Sequence, residues 1–182
     1  MKQITAVIYV LCCLALTVAH AQSIALKNIA VQQQGSHWQV TPHYNIELSE
    51  AIIEAIHNGI EITFVSEVRL IAEKNWWPDK TLRINEKRFE IHYFSLSSQY
   101  QLKQLGASKP TSYMTLDSLL EQLAEKTEFD LEIDSNASAV EGRFYLDHRA
   151  LPSTMQLPIL LDPQWSLRAQ PSRQALPNPD KP

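Results

Sequence analysis

From Ile60 to Tyr100 the chain alternates between apolar and polar positions with a period of two. Ile60, Ile62, Phe64, Val68, Leu70 and Ala72 take the even positions, while Glu61, Thr63, Glu67, Arg69 and Glu73 take the odd ones. Alternation over that length predicts a strand with one buried face. A second such stretch, TLRINEKRFEIHYF from Thr81 to Phe94, follows Asn75-Trp76-Trp77-Pro78-Asp79. The two read as a long hairpin with paired indoles at its tip. In the second strand Leu82 and Ile84 share one parity, and Phe89, Ile91 and Tyr93 have the other. A change of face requires an extra residue, which places a bulge near Asn85 to Arg88.

The same pattern sorts the rest of the chain. Ile24 and Leu26, then Ile29 and Val31, predict a first strand with one irregularity. After a turn at Gly35-Ser36, Trp38, Val40, Tyr44, Ile46 and Leu48 make a second strand, in which Pro42 marks an edge or a bulge. Ser49 caps a short helix, EAIIEAIH, that Asn58-Gly59 stops. Thr115 caps LDSLLEQLAEK, whose Leu116, Leu119, Leu120 and Leu123 recur at helical spacing. Tyr100 and Leu102 open another strand; FDLEIDS and VEGRFYLDH give two more. MQLPILL and WSLRA are expected to be edge strands interrupted by Pro158 and Pro163. From Gln170 the chain carries four prolines and no aromatic residue, the composition of a disordered tail over 170–182. The sum is a mainly β fold: one antiparallel β-sandwich-like domain, 22–169, with two short marginal α-helices.

The N-terminus changes this picture. Lys2, an apolar run from Ile4 to Val18 and the triplet Ala19-His20-Ala21 predict a signal peptide over 1–21 and a periplasmic location; the alternative is an N-terminal membrane anchor. Cleavage would remove both cysteines, Cys12 and Cys13, so the mature domain would rely on its core without disulfides. It would also remove Lys2, leaving 16 − 1 = 15 basic against 20 acidic residues, a net charge of −5. That balance argues against a nucleic-acid binder and against a strong anionic-membrane surface.

Chemistry is sparse. Asp130, Glu132 and Asp134 have the spacing that opens a calcium loop, but Ser135 stands where such a loop needs glycine, so a solvated strand face is expected. His37 and His43 share a strand face about 20 Å apart at strand rise, too far to share a metal. No serine sits in a nucleophile elbow and no glycine-rich loop could cradle phosphate. No catalytic residue, metal site or cofactor is assigned. Asp147, His148 and Arg149 form a mixed polar cluster, suited to a base or a pH-sensitive contact, and more ordinarily to local pairing at a turn. Trp76 and Trp77, with Asp79, suit a partner-binding tip. The more ordinary expectation is that at least one indole folds back over the core.

Three blocks, GIEITFVSEVRLIAEKNWWPDK, FEIHYFSLSSQYQL and GRFYLDHRALPSTMQLPILLDPQWSL, resemble in order those of a proteobacterial family of exported proteins, domain of unknown function 4390. The resemblance is carried by Trp76, Trp77, Asp79 and Lys80, by Tyr93, Leu96, Gln99 and Tyr100, and by Arg143, Leu146, Asp147, Leu151 and Pro152. It departs at Ser98 and Gln101, where members commonly carry arginine, and at Pro78. The resemblance implies export, a compact mainly β domain and no known activity. Through gene neighbourhood it implies an envelope-protein partner, with a membrane sensor histidine kinase as the specific expectation. Tyr100 thereby joins Trp76, Trp77 and Asp79 in the candidate partner-binding set. The leading expectation is a non-enzymatic periplasmic binding or accessory module. A carrier of a small apolar ligand, held against the even face of the first long strand, is the alternative; a hydrolase built around Asp147 and His148 is the second.

Overall fold

The computed structural model describes residues 23–177 except 75 and 108. The expected signal segment and the end of the expected tail, 178–182, lie outside the described residues. Strands β1 (Ser23–Gln34) and β2 (His37–Glu47) form a hairpin about Gly35, whose φ of +61° suits a residue without a Cβ. The irregularity expected in β1 is at Lys27: Leu26 pairs with Tyr44 and Asn28 with His43. β2 also pairs with β7 (Phe129–Glu132), completing a three-stranded antiparallel sheet. Pro42 lies beyond the stretch of β2 that β7 occupies, as an edge position should.

The long hairpin is there, as β3 (Ile62–Ala72) and β4 (Lys80–Phe94), in the middle of a six-stranded sheet ordered β6-β5-β4-β3-β8-β9. Its other members are β5 (Gln99–Gln104), β6 (Thr111–Tyr113), β8 (Ala139–Leu146) and β9 (Ser172–Ala175). The bulge falls earlier than expected. Leu70 pairs with Arg83 and Ile71 with Thr81, so Leu82 is the extra residue, and Asn85 to Arg88 pair regularly with Val68 to Val65. Ile84, expected to face inward with Leu82, faces out opposite Arg69, 52% exposed.

Both expected helices form. In α1 (Glu50–His57) the Ser49 hydroxyl accepts from the Ile52 N–H, and Ile52, Ala55 and Ile56 are buried. In α2 (Leu116–Glu125) the Thr115 hydroxyl accepts from the Ser118 N–H, and Leu119 and Leu123 are buried. A third helix, α3 (Ser153–Leu161), stands where MQLPILL was expected to be a strand. Met155, Leu157 and Ile159 alternate, but Met155 and Ile159 are also one helical turn apart; these two turn to the core while Leu157 is exposed. In WSLRA, Trp165 ends a 3-10 turn, and only Leu167 to Ala169 bond along β8. Within the expected disordered tail, 172–175 forms a strand instead: β9 pairs with Ala139 to Gly142, because Pro171 and Pro177 flank it and leave its N–H groups intact.

The two sheets stack sandwich-like with three short helices. The small sheet covers one end of the large one, where Ile29, Trp38, Val40, Phe129 and Leu131 meet Val68, Leu70 and Val140. Over the other end Ile24 and Tyr44, with α1 and α2, enclose Ile62, Phe64, Phe89, Ile91 and Phe144. β3 is buried on both faces rather than one. Its odd positions Thr63, Val65, Glu67 and Ile71 are covered as well, because a central strand is flanked by the long side chains of β4 and β8.

Candidate functional site

The tip between β3 and β4 projects both indoles. Trp76 is 93% and Trp77 76% exposed, so the expectation that one would cover the core is overturned. The core beneath that end is already closed by Trp38, Phe129 and Leu131 of the small sheet. Asp79 ties the tip down. One carboxylate oxygen accepts from the Lys74 N–H at 3.3 Å and the other from Arg173 Nη1 of β9 at 2.6 Å. Those bonds, Arg173 first, hold its carboxyl below the usual carboxylate range.

Arg173 carries the connection onward. Its Nε donates at 2.9 Å to Glu141, which also accepts from Arg143 Nε at 2.8 Å. Burial opposes ionisation of Glu141, but the bonds from Arg173 and Arg143 outweigh it and lower its pKa. The outer face of the large sheet is built from three Glu-x-Arg pairs, Glu67 with Arg69, Glu86 with Arg88 and Glu141 with Arg143, one on each of the neighbouring strands β3, β4 and β8. Residues two apart in a strand share a face, so each arginine folds back onto its own glutamate. This spacing is visible in the sequence, where the alternation marks the apolar face but not the pairing on the polar one. Beside these pairs opens a cleft of about 290 Å³, lined by Glu67, Arg69, Arg143, Tyr145 and Arg168 among others.

The remaining expected site residues lie elsewhere. Tyr100 is on β5 opposite Tyr93, on the order of 40 Å from the tip at strand rise. Its hydroxyl is 2.6 Å from His57 Nε2, and its ring packs against Tyr93. The structure therefore brings Trp76, Trp77 and Asp79 together and separates Tyr100 from them. Asp147 accepts from the Arg149 N–H and from Arg88 Nη1, both at 3.0 Å, while His148 Nε2 lies 2.8 Å from the Trp165 carbonyl. Asp147 thus caps the 3-10 turn and reaches across to Arg88 of β4, while His148 reaches the loop at Trp165, so the two adjacent side chains point to different partners and do not bond each other. The even face of β3 is filled: Ile62, Phe64, Val68 and Leu70 are wholly buried in the core clusters, and none lines the clefts found between α2 and β2, beside α3 or on the outer face.

Among the described residues no group of three or more His, Cys, Asp or Glu side chains could hold a metal ion. Among the same residues no helix is long and apolar enough to cross a membrane. No curated protein and no solved structure matches the chain. The family described as Domain of unknown function (DUF4390) matches residues 21–174, a span that contains the three blocks that carry the resemblance, and the chain belongs to that family.

Proposed function

We propose that this protein is a non-enzymatic binding or accessory module of the periplasm, which presents its tryptophan tip to a protein of the envelope. The observation that supports this reading is the exposure of Trp76 and Trp77 on a tip fastened through Asp79. Two adjacent exposed indoles offer large apolar area at low conformational cost, the composition of an interface anchor. A membrane sensor histidine kinase, with a domain on the same side of the inner membrane, is the partner class that family context suggests. Crosslinking in whole cells with a reagent unable to cross the inner membrane should capture one dominant envelope protein. Trp76→Ala with Trp77→Ala should reduce that capture at least tenfold while circular dichroism shows the fold intact. Undiminished capture by the folded double variant would reject the tip as the contact.

A further inference from the structure

We infer that the arginine cleft on the outer face of the large sheet receives an acidic side chain from an extended partner segment, which pairs with the open sheet edge at Arg168. The proposal goes beyond the tip reading and does not use the tryptophans.

Charge is the first argument. Three arginines and one glutamate line the cleft, in a chain whose formal net charge is −4. Arg69 and Arg143 are paired with Glu67 and Glu141, so the cleft's surplus positive charge sits on Arg168, the place where an anion would be held. Pre-organisation is the second. Arg69 spends its Nε on Glu67, and Arg143 spends Nε and Nη2 on Glu141. The glutamates, 6% and 4% exposed, hold these guanidinium groups in place, and among the described residues their other N–H donors have no partner. Arg168 has no ion-pair or hydrogen-bond partner among the described residues, so its whole fork is open. Fixed guanidinium groups lose little entropy on binding, and their planar forks match a carboxylate.

The backbone supplies the third argument. Leu146 donates to the Leu167 carbonyl at 3.1 Å, and Ala169 donates to the Phe144 carbonyl at 2.8 Å. Between them Arg168 stands opposite Tyr145 in a pair that exchanges no hydrogen bond, so its own N–H and C=O point away from β8. Both lack a partner among the described residues. A strand added at that edge must project the residue facing Arg168 onto the same face, beside the Tyr145 hydroxyl. Pro171 ends this edge after a few residues, so a short acidic segment fits better than a long strand. Glu67 in the lining favours a singly charged carboxylate over a phosphate dianion.

The test uses protein labelled with 15N-arginine and an acetylated pentapeptide, Val-Thr-Glu-Thr-Val, with its Gln counterpart, acetate and inorganic phosphate as separate probes. The Glu peptide should shift the Nε–Hε signals of Arg168 and Arg143 and bind at least tenfold tighter than the Gln peptide. Arg168→Ala should lower its affinity at least tenfold, and Tyr145→Phe should lower it less, with the fold intact in both. Trp76→Ala with Trp77→Ala should leave peptide binding unchanged, which separates this site from the tip. Equal binding of the Gln peptide, or no loss in Arg168→Ala, would overturn the proposal. So would phosphate or acetate shifting the same signals at lower concentration than the peptide, since the edge would then contribute nothing.

Discussion

Glu141 is a carboxylate kept charged in nearly complete burial, and that makes acid stability a property of single side chains here. Burial raises its pKa, and the Arg173 and Arg143 hydrogen bonds more than reverse the effect. Its folded pKa is therefore below the unfolded value of about 4.3. A depressed carboxylate contributes stability above the unfolded pKa and loses it as pH falls through the folded one. Asp79 is shifted in the same direction by Arg173 and adds to the same slope. Glu141→Gln should cost about 2 kcal/mol at neutral pH, the range for a lost charge-assisted hydrogen bond. It should also flatten the fall in stability below about pH 4.3. Urea unfolding at a series of pH values reads both effects; an acid limb as steep as in the unaltered protein would mean Glu141 carries none of it.

At the scale of elements, the two sheets approach closely where β1 lies over β8. A Cβ built at Gly142 would lie 3.1 Å from both Leu26 Cδ2 and Ile29 Cδ1. Gly142→Val should destabilise the fold by about 2 kcal/mol through overpacking, despite the better strand propensity of valine. A raised urea midpoint would show that the sheets can part without cost. Elements defined by local signals were legible in the sequence. The caps at Ser49 and Thr115 and the alternation through β1 to β4 each depend on neighbours a few residues away. What failed depends on distant partners. Ile84 looks like a core residue until Arg69 is seen opposite it, and the run from Met155 to Ile159 fits both periods until Ile159 finds the core. The exposure of Trp76 and Trp77 follows from how Trp38 and Phe129 close the sheet end. Each Glu-x-Arg pair was visible in one strand, but only sheet register sets Glu67 beside Arg143 and Arg69 beside Glu141.

At the scale of the whole molecule, the C-terminal segment closes what the long hairpin begins. β9 covers the edge of β8 from Ala139 to Gly142, and the Leu176 N–H donates to the Ser138 carbonyl at 2.9 Å. Leu176 packs on the core cluster beneath the tip. Through Arg173 the segment also joins Asp79 of the tip to Glu141 beside the cleft, so one strand braces both candidate surfaces. Ending the chain after Gln170 would open that edge, leave Glu141 with Arg143 alone and release Asp79. The expected loss is about 3 kcal/mol, mostly from a buried charge left half paired. Ending it after Pro177 keeps β9 and all of these bonds, and should change stability by less than about 0.5 kcal/mol. Urea unfolding of the two truncations measures the difference, and amide exchange across Ala139 to Gly142 should quicken only in the shorter one. A disordered segment would make the two equal. Because Arg173 is the link, Arg173→Ala in the full chain should reproduce part of the larger loss while leaving the β9 backbone bonds in place, separating the brace from the strand that carries it.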